Sequence, residues 1–169
     1  SPPQWLLKLP VFEIKEGMAE SSLLQSQTFA ELYGGRKIES ARAEELYKCP
    51  LIVIPQALGP DRGVSTGYCF WNDNVCFSQS YFGYSAFGHD EYRLVMSLLN
   101  VLVHSSLFRH FCYMRSSRVG ASRRTFLKED LDAFPFPHLS DLNKEQRTQA
   151  LALSDMLETR QTKDLQALD

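Results

Sequence analysis

The 169-residue sequence has no apolar run that could cross a membrane. Its most apolar stretch, residues 94–103, is interrupted by Ser97 and Asn100. A membrane span needs about 20 apolar residues. The N-terminus also lacks the basic residues and apolar run that begin a secretory signal peptide. We therefore expect no membrane partner and a cytoplasmic location, and the absence of an initial Met indicates a fragment of a longer protein.

Cysteines are scarce, and their spacing excludes two classes of small domain. The four cysteines are Cys49, Cys69, Cys76 and Cys112. They form no CxxC pair and show no zinc-ligand spacing with the four histidines. Cys69 and Cys76 could face each other across a hairpin, but reduced, buried thiols are commoner in a cytoplasmic protein. The sequence thus predicts neither a metal site nor a disulfide framework.

Three segments resemble the start of a known catalytic motif, but each lacks a residue that the motif requires. The segment 1–4 has Gln4 where the base-stacking loop of amino-methyltransferases needs an aromatic residue. Residues 83–87 lack the last glycine of a nucleophile elbow. Asp61 is not followed by the acid-x-Lys pattern of a magnesium-dependent nuclease. We therefore expect that this chain is not an enzyme.

Acidic residues are absent from Tyr92 to Lys128, although the chain has 18 basic and 20 acidic residues and a net charge of −2. Seven basic residues lie in this stretch. Guanidinium groups beside hydroxyls suit phosphate oxygens, because Arg makes bidentate, charge-assisted bonds. The alternative is a solvated surface balanced by the acidic remainder. The predicted phosphate-binding residues are Arg115, Ser116, Ser117, Arg118, Arg123, Arg124 and Lys128.

A polar loop at residues 56–66 has residue types that read bases. In the major groove of DNA, Arg pairs favourably with guanine and Gln with adenine. Gln56 and Arg62 are therefore the predicted base-reading residues, although the same loop could be a solvated turn.

Hydrophobic periodicity predicts an α+β fold, with a small, mainly antiparallel sheet packed against helices and a long C-terminal helix. Predicted helices cover residues 22–33, 39–47, 91–103, 106–115, 128–134 and 144–168. Predicted strands cover 11–14 (an edge strand), 50–55 (a buried strand), and 64–71 with 75–80 (a hairpin). The helix 106–115 is expected to bury Leu107, Phe108, Phe111, Cys112 and Met114. The last helix is expected to bury Ala150, Leu153, Met156 and Leu157.

The order of these segments resembles a known family. The proline-bounded strand 50–55 leads into a polar loop, then FSQSYFGYS (77–85), an apolar helix, HSSLFRHF (104–111), the Ser116-Ser117 basic loop and KEDLDAFPFP (128–137). From about Cys49 to Leu157, this series resembles the target recognition (specificity) domain of adenine-N6 DNA methyltransferases in type IIG and type I restriction-modification systems. His104 departs from the Asn of the family, and we expect it to be a core or capping residue.

The resemblance implies sequence-specific binding of double-stranded DNA, with catalysis by a methyltransferase domain in cis or in trans. That domain, not this chain, is expected to bind S-adenosylmethionine, so no cofactor is expected here. The expected division of the chain is a lead-in segment (1–22), in which prolines interrupt any helix, a DNA target recognition domain (23–138) and a C-terminal helix (139–169) that is a spacer or partner surface. The resemblance leaves open whether the parent also cleaves DNA, and the oligomeric state. The alternative function is a protein-interaction module that uses the C-terminal helix and binds no DNA.

Overall fold

The computed structural model describes residues 2–12, 24–33, 42–56, 67–115 and 125–166. Its helices are α1 (Gln4–Leu7), α2 (Phe29–Tyr33), α3 (Tyr92–Val103), α4 (Ser106–Arg115), α5 (Lys128–Asp132) and α6 (Lys144–Gln166). Its strands are β1 (Pro10–Phe12), β2 (Leu24–Thr28), β3 (Leu51–Pro55), β4 (Tyr68–Phe70), β5 (Cys76–Phe77) and β6 (Tyr81–Ser85). Short 3₁₀ turns cover Glu44–Tyr47 and Leu139–Asp141. The predicted α+β class, with its long C-terminal helix, is confirmed.

The strands form two three-stranded sheets. The sheet β4-β3-β6 is antiparallel throughout, as predicted for the small sheet. The sheet β2-β1-β5 is mixed, because β1 pairs antiparallel with β2 and parallel with β5. Among the described residues, no single helix is both long and apolar enough to cross a membrane; α3 and α4 pass that test only as a pair bent by 68°.

Strand β3 is the centre of the molecule, because it is buried on both faces. Leu51 and Val53 pack into the core between the two sheets, where Phe12 and Phe77 also lie. The alternate residues Ile52 and Ile54 pack into a second core beneath the helices. This alternation follows from the two-residue period of a strand. The prediction of a buried strand from the run of β-branched residues is confirmed.

The predicted hairpin across residues 72–74 is wrong. β4 pairs with β3, whereas β5 pairs with β1 in the other sheet. The connection between them is fixed by Asn74, whose Oδ1 accepts the backbone N–H of Cys49 at 2.9 Å. Cys69 and Cys76 therefore lie in different sheets, and both are free thiols.

The N-terminal elements also differ from the predictions. β1 is the central strand of its sheet, not an edge strand. The predicted helix 22–33 is a strand over Leu24–Thr28 and becomes helical only at Phe29, because β1 supplies hydrogen-bond partners for an extended chain. Leu6, Val11 and Phe12 are buried, so the described part of the predicted lead-in contributes to the core.

Helices α3 and α4 form as predicted, but one predicted face is wrong. α4 buries Phe108 and Cys112, one turn apart, and this choice leaves Leu107 and Met114 exposed. Between the helices, His104 ends α3 with its Nδ1 2.7 Å from the Asn100 carbonyl oxygen. Ser105 caps the N-terminus of α4, since its Oγ accepts the Phe108 N–H at 3.1 Å.

Helix α6 packs on α3 through its N-terminal half. It begins with a reciprocal cap, in which Asn143 and Gln146 each accept the other's backbone N–H at 2.9 Å. Ala150 packs with Leu94 and Leu98 of α3. The predicted apolar stripe is wrong at Leu153 and Met156, which are exposed. The buried face of α6 instead runs through Ala150 and Ser154.

Candidate nucleic-acid interface

Gln56 is the residue that directly follows the central strand β3. Its backbone N–H donates to the Ser80 carbonyl at 3.0 Å, and its side-chain Nε2 donates to the Gln79 carbonyl. The residue is half-buried. One amide proton of Gln56 is therefore used within the protein, which fixes the orientation of this predicted base-reading side chain.

Residues next to the two predicted DNA-binding segments, 57–66 and 116–124, are hydrogen-bonded to each other. The carbonyl of Gln56, just before segment 57–66, accepts the backbone N–H of Phe126 at 2.8 Å. Phe126 comes two residues after segment 116–124 and is 2% exposed, so it is anchored in the helical core. The described residues that flank the two predicted segments are thus hydrogen-bonded neighbours, although Gln56 and Phe126 are 70 positions apart in the chain.

Several predicted site residues lie outside the described part of the chain. Arg62 belongs to segment 57–66. The other predicted site residues outside the described ranges are Ser116, Ser117, Arg118, Arg123 and Arg124. The described members of the predicted site are Gln56, Arg115 and Lys128.

Arg115 is the last residue of α4 and is exposed. Its guanidinium carbon lies 5.9 Å from the centroid of the Phe111 ring, a distance that permits a cation–π contact. The Phe111 ring in turn meets Phe134 edge to face, at 5.1 Å and 86°. Among the described residues, no carboxylate forms an ion pair with Arg115.

Lys128 is paired, in contrast to Arg115. Its Nζ lies 2.5 Å from Oδ2 of Asp132, one turn later in α5, and 5.3 Å from the centroid of the Tyr84 ring. Tyr84 donates its hydroxyl proton to the other oxygen of Asp132 at 2.7 Å. The carboxylate just beyond the acid-free stretch therefore neutralises part of the predicted phosphate-binding charge.

The ionisation of this cluster follows from its contacts. Partial burial raises the pKa of Asp132, but hydrogen bonds from Lys128 and Tyr84 and the charge of Lys128 outweigh it, so the pKa falls below its usual value. Burial, with the hydrogen bond to Asp132 and its charge, raises the pKa of Tyr84. Asp132 is therefore charged and Tyr84 neutral at physiological pH. The spacing of Lys128 and Asp132 is visible in the sequence, whereas nothing local in the sequence points to Tyr84.

An apolar cavity of about 350 Å³ opens beside this cluster. Tyr84 and Asp132 form its polar side, and β3, α3, α4 and the chain after α5 supply apolar walls. Ile54 lines it three residues before segment 57–66. Val103 lines it as well and packs against Gly67, directly after that segment, where an added Cβ would lie 2.7 Å from Val103 Cγ1. The cavity thus lies next to described residues on both sides of segment 57–66 in the chain.

The buried thiols are poor nucleophiles. Burial raises the pKa of Cys69 and of Cys76 to about 12 and that of Cys112 to about 11. These thiols stay protonated near neutral pH, and the thiolate is the reactive form. Within the described ranges, no cluster of three or more His, Cys, Asp or Glu side chains has metal-binding geometry.

Comparisons with protein-family models, curated proteins and solved structures find no match for this chain.

Proposed function

We propose that this chain binds duplex DNA sequence-specifically, as the specificity domain of an adenine-N6 DNA methyltransferase of a restriction-modification system. It would work in the cytoplasm and present the target adenine to a separate methyltransferase domain, which would hold S-adenosylmethionine. The chain itself would supply binding and no catalysis.

The observation that supports this proposal most is the hydrogen bond between Gln56 and Phe126. It joins the flanks of the two segments assigned to base reading and to phosphate binding. Phosphate contacts fix the register of a protein on DNA, and base contacts read the sequence. One continuous surface can do both only if the two sets are neighbours, and their described flanks are.

Charge supports the proposal in part. Arg115 is exposed and unpaired with any described carboxylate, whereas Lys128 is held by Asp132. We therefore assign the main phosphate contacts to Arg115, Arg118, Arg123 and Arg124, with Ser116 and Ser117 as hydroxyl donors, and a smaller share to Lys128. Gln56 and Arg62 remain the proposed base-reading residues.

A salt titration of duplex binding tests the proposal. Each neutralised phosphate adds roughly −0.9 to the slope of log affinity against log salt. Arg123→Ala/Arg124→Ala is expected to reduce the slope by about two. The matched control, Lys8→Ala/Lys144→Ala, removes the same charge at two exposed lysines outside the acid-free stretch and should leave the slope unchanged. No duplex binding at low salt, or equal effects of the two variants, would reject the proposal.

A second candidate function uses the outer face of α6. Leu153 and Met156 are 47% and 67% exposed there and lie one turn apart. Exposed apolar side chains on one face are typical of a surface that binds another protein. If Leu153→Asp/Met156→Asp abolishes co-purification with the methyltransferase domain while DNA affinity is absent in the wild type, this second function replaces the first.

A further inference from the structure

The outer face of α4 carries apolar side chains that are exposed. Leu107 and Met114 are 63% and 75% exposed. They lie two helical turns apart on one face, and exposed His110 lies between them. We refer to Leu107, His110 and Met114 as the α4 ridge.

The opposite face of α4 holds the helix firmly against the core. Phe108 and Cys112 are 3% and 0% exposed. Phe108 meets the Phe134 ring edge to face at 5.2 Å, and Tyr113 meets Phe126 at 6.1 Å. The α4 ridge is therefore presented by a rigid element, as a recognition surface requires.

Two arginines flank the ridge. At about 100° per residue, Arg109 and Arg115 lie roughly 110–130° from the ridge, on its two opposite sides. Both are exposed, and neither forms an ion pair with a carboxylate in the described ranges. α4 itself contains no acidic residue and lies within the acid-free stretch. This charge pattern is complementary to a polyanion on both sides of the ridge.

Building on the proposed DNA binding, we propose that α4 is a recognition helix whose ridge enters the major groove of duplex DNA. A groove about 12 Å wide admits an α-helix, and the ten residues of α4 span about 15 Å. Leu107 and Met114 would contact thymine methyl groups, and a ring nitrogen of His110 would bond to a base edge. Arg109 and Arg115 would bind the phosphates on either side.

The placement of α4 favours DNA over other occupants. Its C-terminal residue, Arg115, directly precedes segment 116–124, so the ridge would extend the proposed interface without a break. A helix that lies in a lipid surface needs a continuous apolar face. The ridge instead alternates two apolar side chains with His110, which suits the mixed polar and methyl surface of a groove.

Selection from a duplex library with a randomised core tests this assignment. The ridge variant is Leu107→Ala/His110→Ala/Met114→Ala, and the matched control is Leu153→Ala/Met156→Ala on α6. Wild type and control are expected to enrich one common sequence. The ridge variant is expected to lose about tenfold or more discrimination at specific positions of that sequence while keeping its salt slope. Replacing thymine by uracil in the enriched duplex should weaken the wild type several-fold but not Leu107→Ala/Met114→Ala.

The outcomes separate this inference from the proposed function. If the ridge variant enriches the same sequence as the wild type, α4 is not the recognition helix, although DNA binding stands. If the wild type binds duplexes without any sequence preference, the inference fails together with the sequence-specific part of the proposed function. If the wild type binds no duplex but binds anionic phosphatidylserine vesicles through α4, both the inference and the proposed function fail.

Discussion

At the residue scale, α6 is joined to the rest of the fold by buried polar side chains. Asn100 of α3 is fully buried and donates through Nδ2 to Ser154 Oγ at 3.1 Å. Ser154 donates to Glu158 at 3.2 Å, and Glu158 also accepts the indole N–H of Trp71. The buried hydrogen bond between Asn100 and Ser154 favours one arrangement of the two helices, because a shift would leave its donor and acceptor unpaired. It therefore favours one register of α6 on α3.

Ser154→Ala is expected to lower the free energy of unfolding by about 1–3 kcal/mol, because it leaves the buried Asn100 amide without its acceptor. Urea denaturation measures this change. The matched control is Ala152→Ser on the exposed face of α6, which should change stability by less than about 0.5 kcal/mol. Equal stability of Ser154→Ala and wild type would show that the buried network contributes nothing.

Gly83 lies beneath a core aromatic ring. A Cβ at this position would lie 2.2 Å from Cζ of Phe77, which is itself 4% exposed. Gly83→Ala is therefore expected to destabilise the fold by about 1–3 kcal/mol through overpacking. In thermal denaturation, Phe77→Leu should remove much of that penalty in the double variant, because it withdraws the ring. Additive losses in the double variant would contradict the steric explanation.

At the element scale, α5 controls how much positive charge faces an anion. Lys128 and Asp132 form an ion pair within α5, and the low pKa of Asp132 keeps that pair formed at physiological pH. Lys128 should therefore contribute less to DNA affinity than Arg115, although both belong to the same acid-free stretch.

Asp132→Asn is expected to raise duplex affinity at low salt and to steepen the salt slope by up to about one, because it frees the charge of Lys128. Fluorescence anisotropy with a labelled duplex measures both quantities. Asp155→Asn, at an exposed carboxylate of α6, makes the same change in net charge and should have a smaller effect. The same gain in both variants would mean that net charge, not the pair in α5, sets the affinity.

The sequence predicted those helices and strands that are determined by neighbouring residues, and failed where distant segments decide the structure. The run 50–55 specified β3, and apolar spacing specified α3 and α4. The partners of β4 and β5 could not be predicted, because strand pairing depends on distant segments such as β1. The buried faces of α4 and α6 could not be predicted at some positions. In α4 the exposed Leu107 is as apolar as the buried Phe108, and in α6 the polar Ser154 is buried while the apolar Met156 is exposed.

The candidate site was predictable only in its chemistry. The absence of acidic residues around Arg115 is visible in the sequence, and so is the type of residue at Gln56. Their relation in space is not, because the hydrogen bond from Phe126 to Gln56 depends on how the helical core packs against β3. The sequence also gave no sign that Tyr84 would contact Asp132 and Lys128.

At the scale of the whole molecule, β3 links the core to the proposed interface. One face packs between the sheets, the other packs beneath the helices, and its C-terminal end leads to Gln56. The second core also holds α4 and Phe126. Residues that flank the proposed phosphate-binding and base-reading segments therefore belong to one packed core, which would let the two segments contact DNA together.

Hydrogen exchange with and without duplex DNA at low salt tests this central claim most directly. We expect saturating duplex to slow amide exchange in residues 57–66 and 116–124 at the same DNA concentration, with the exposed face of α6 unchanged. Protection of only one of these two segments, or protection confined to α6, would contradict a single DNA-binding surface built on β3.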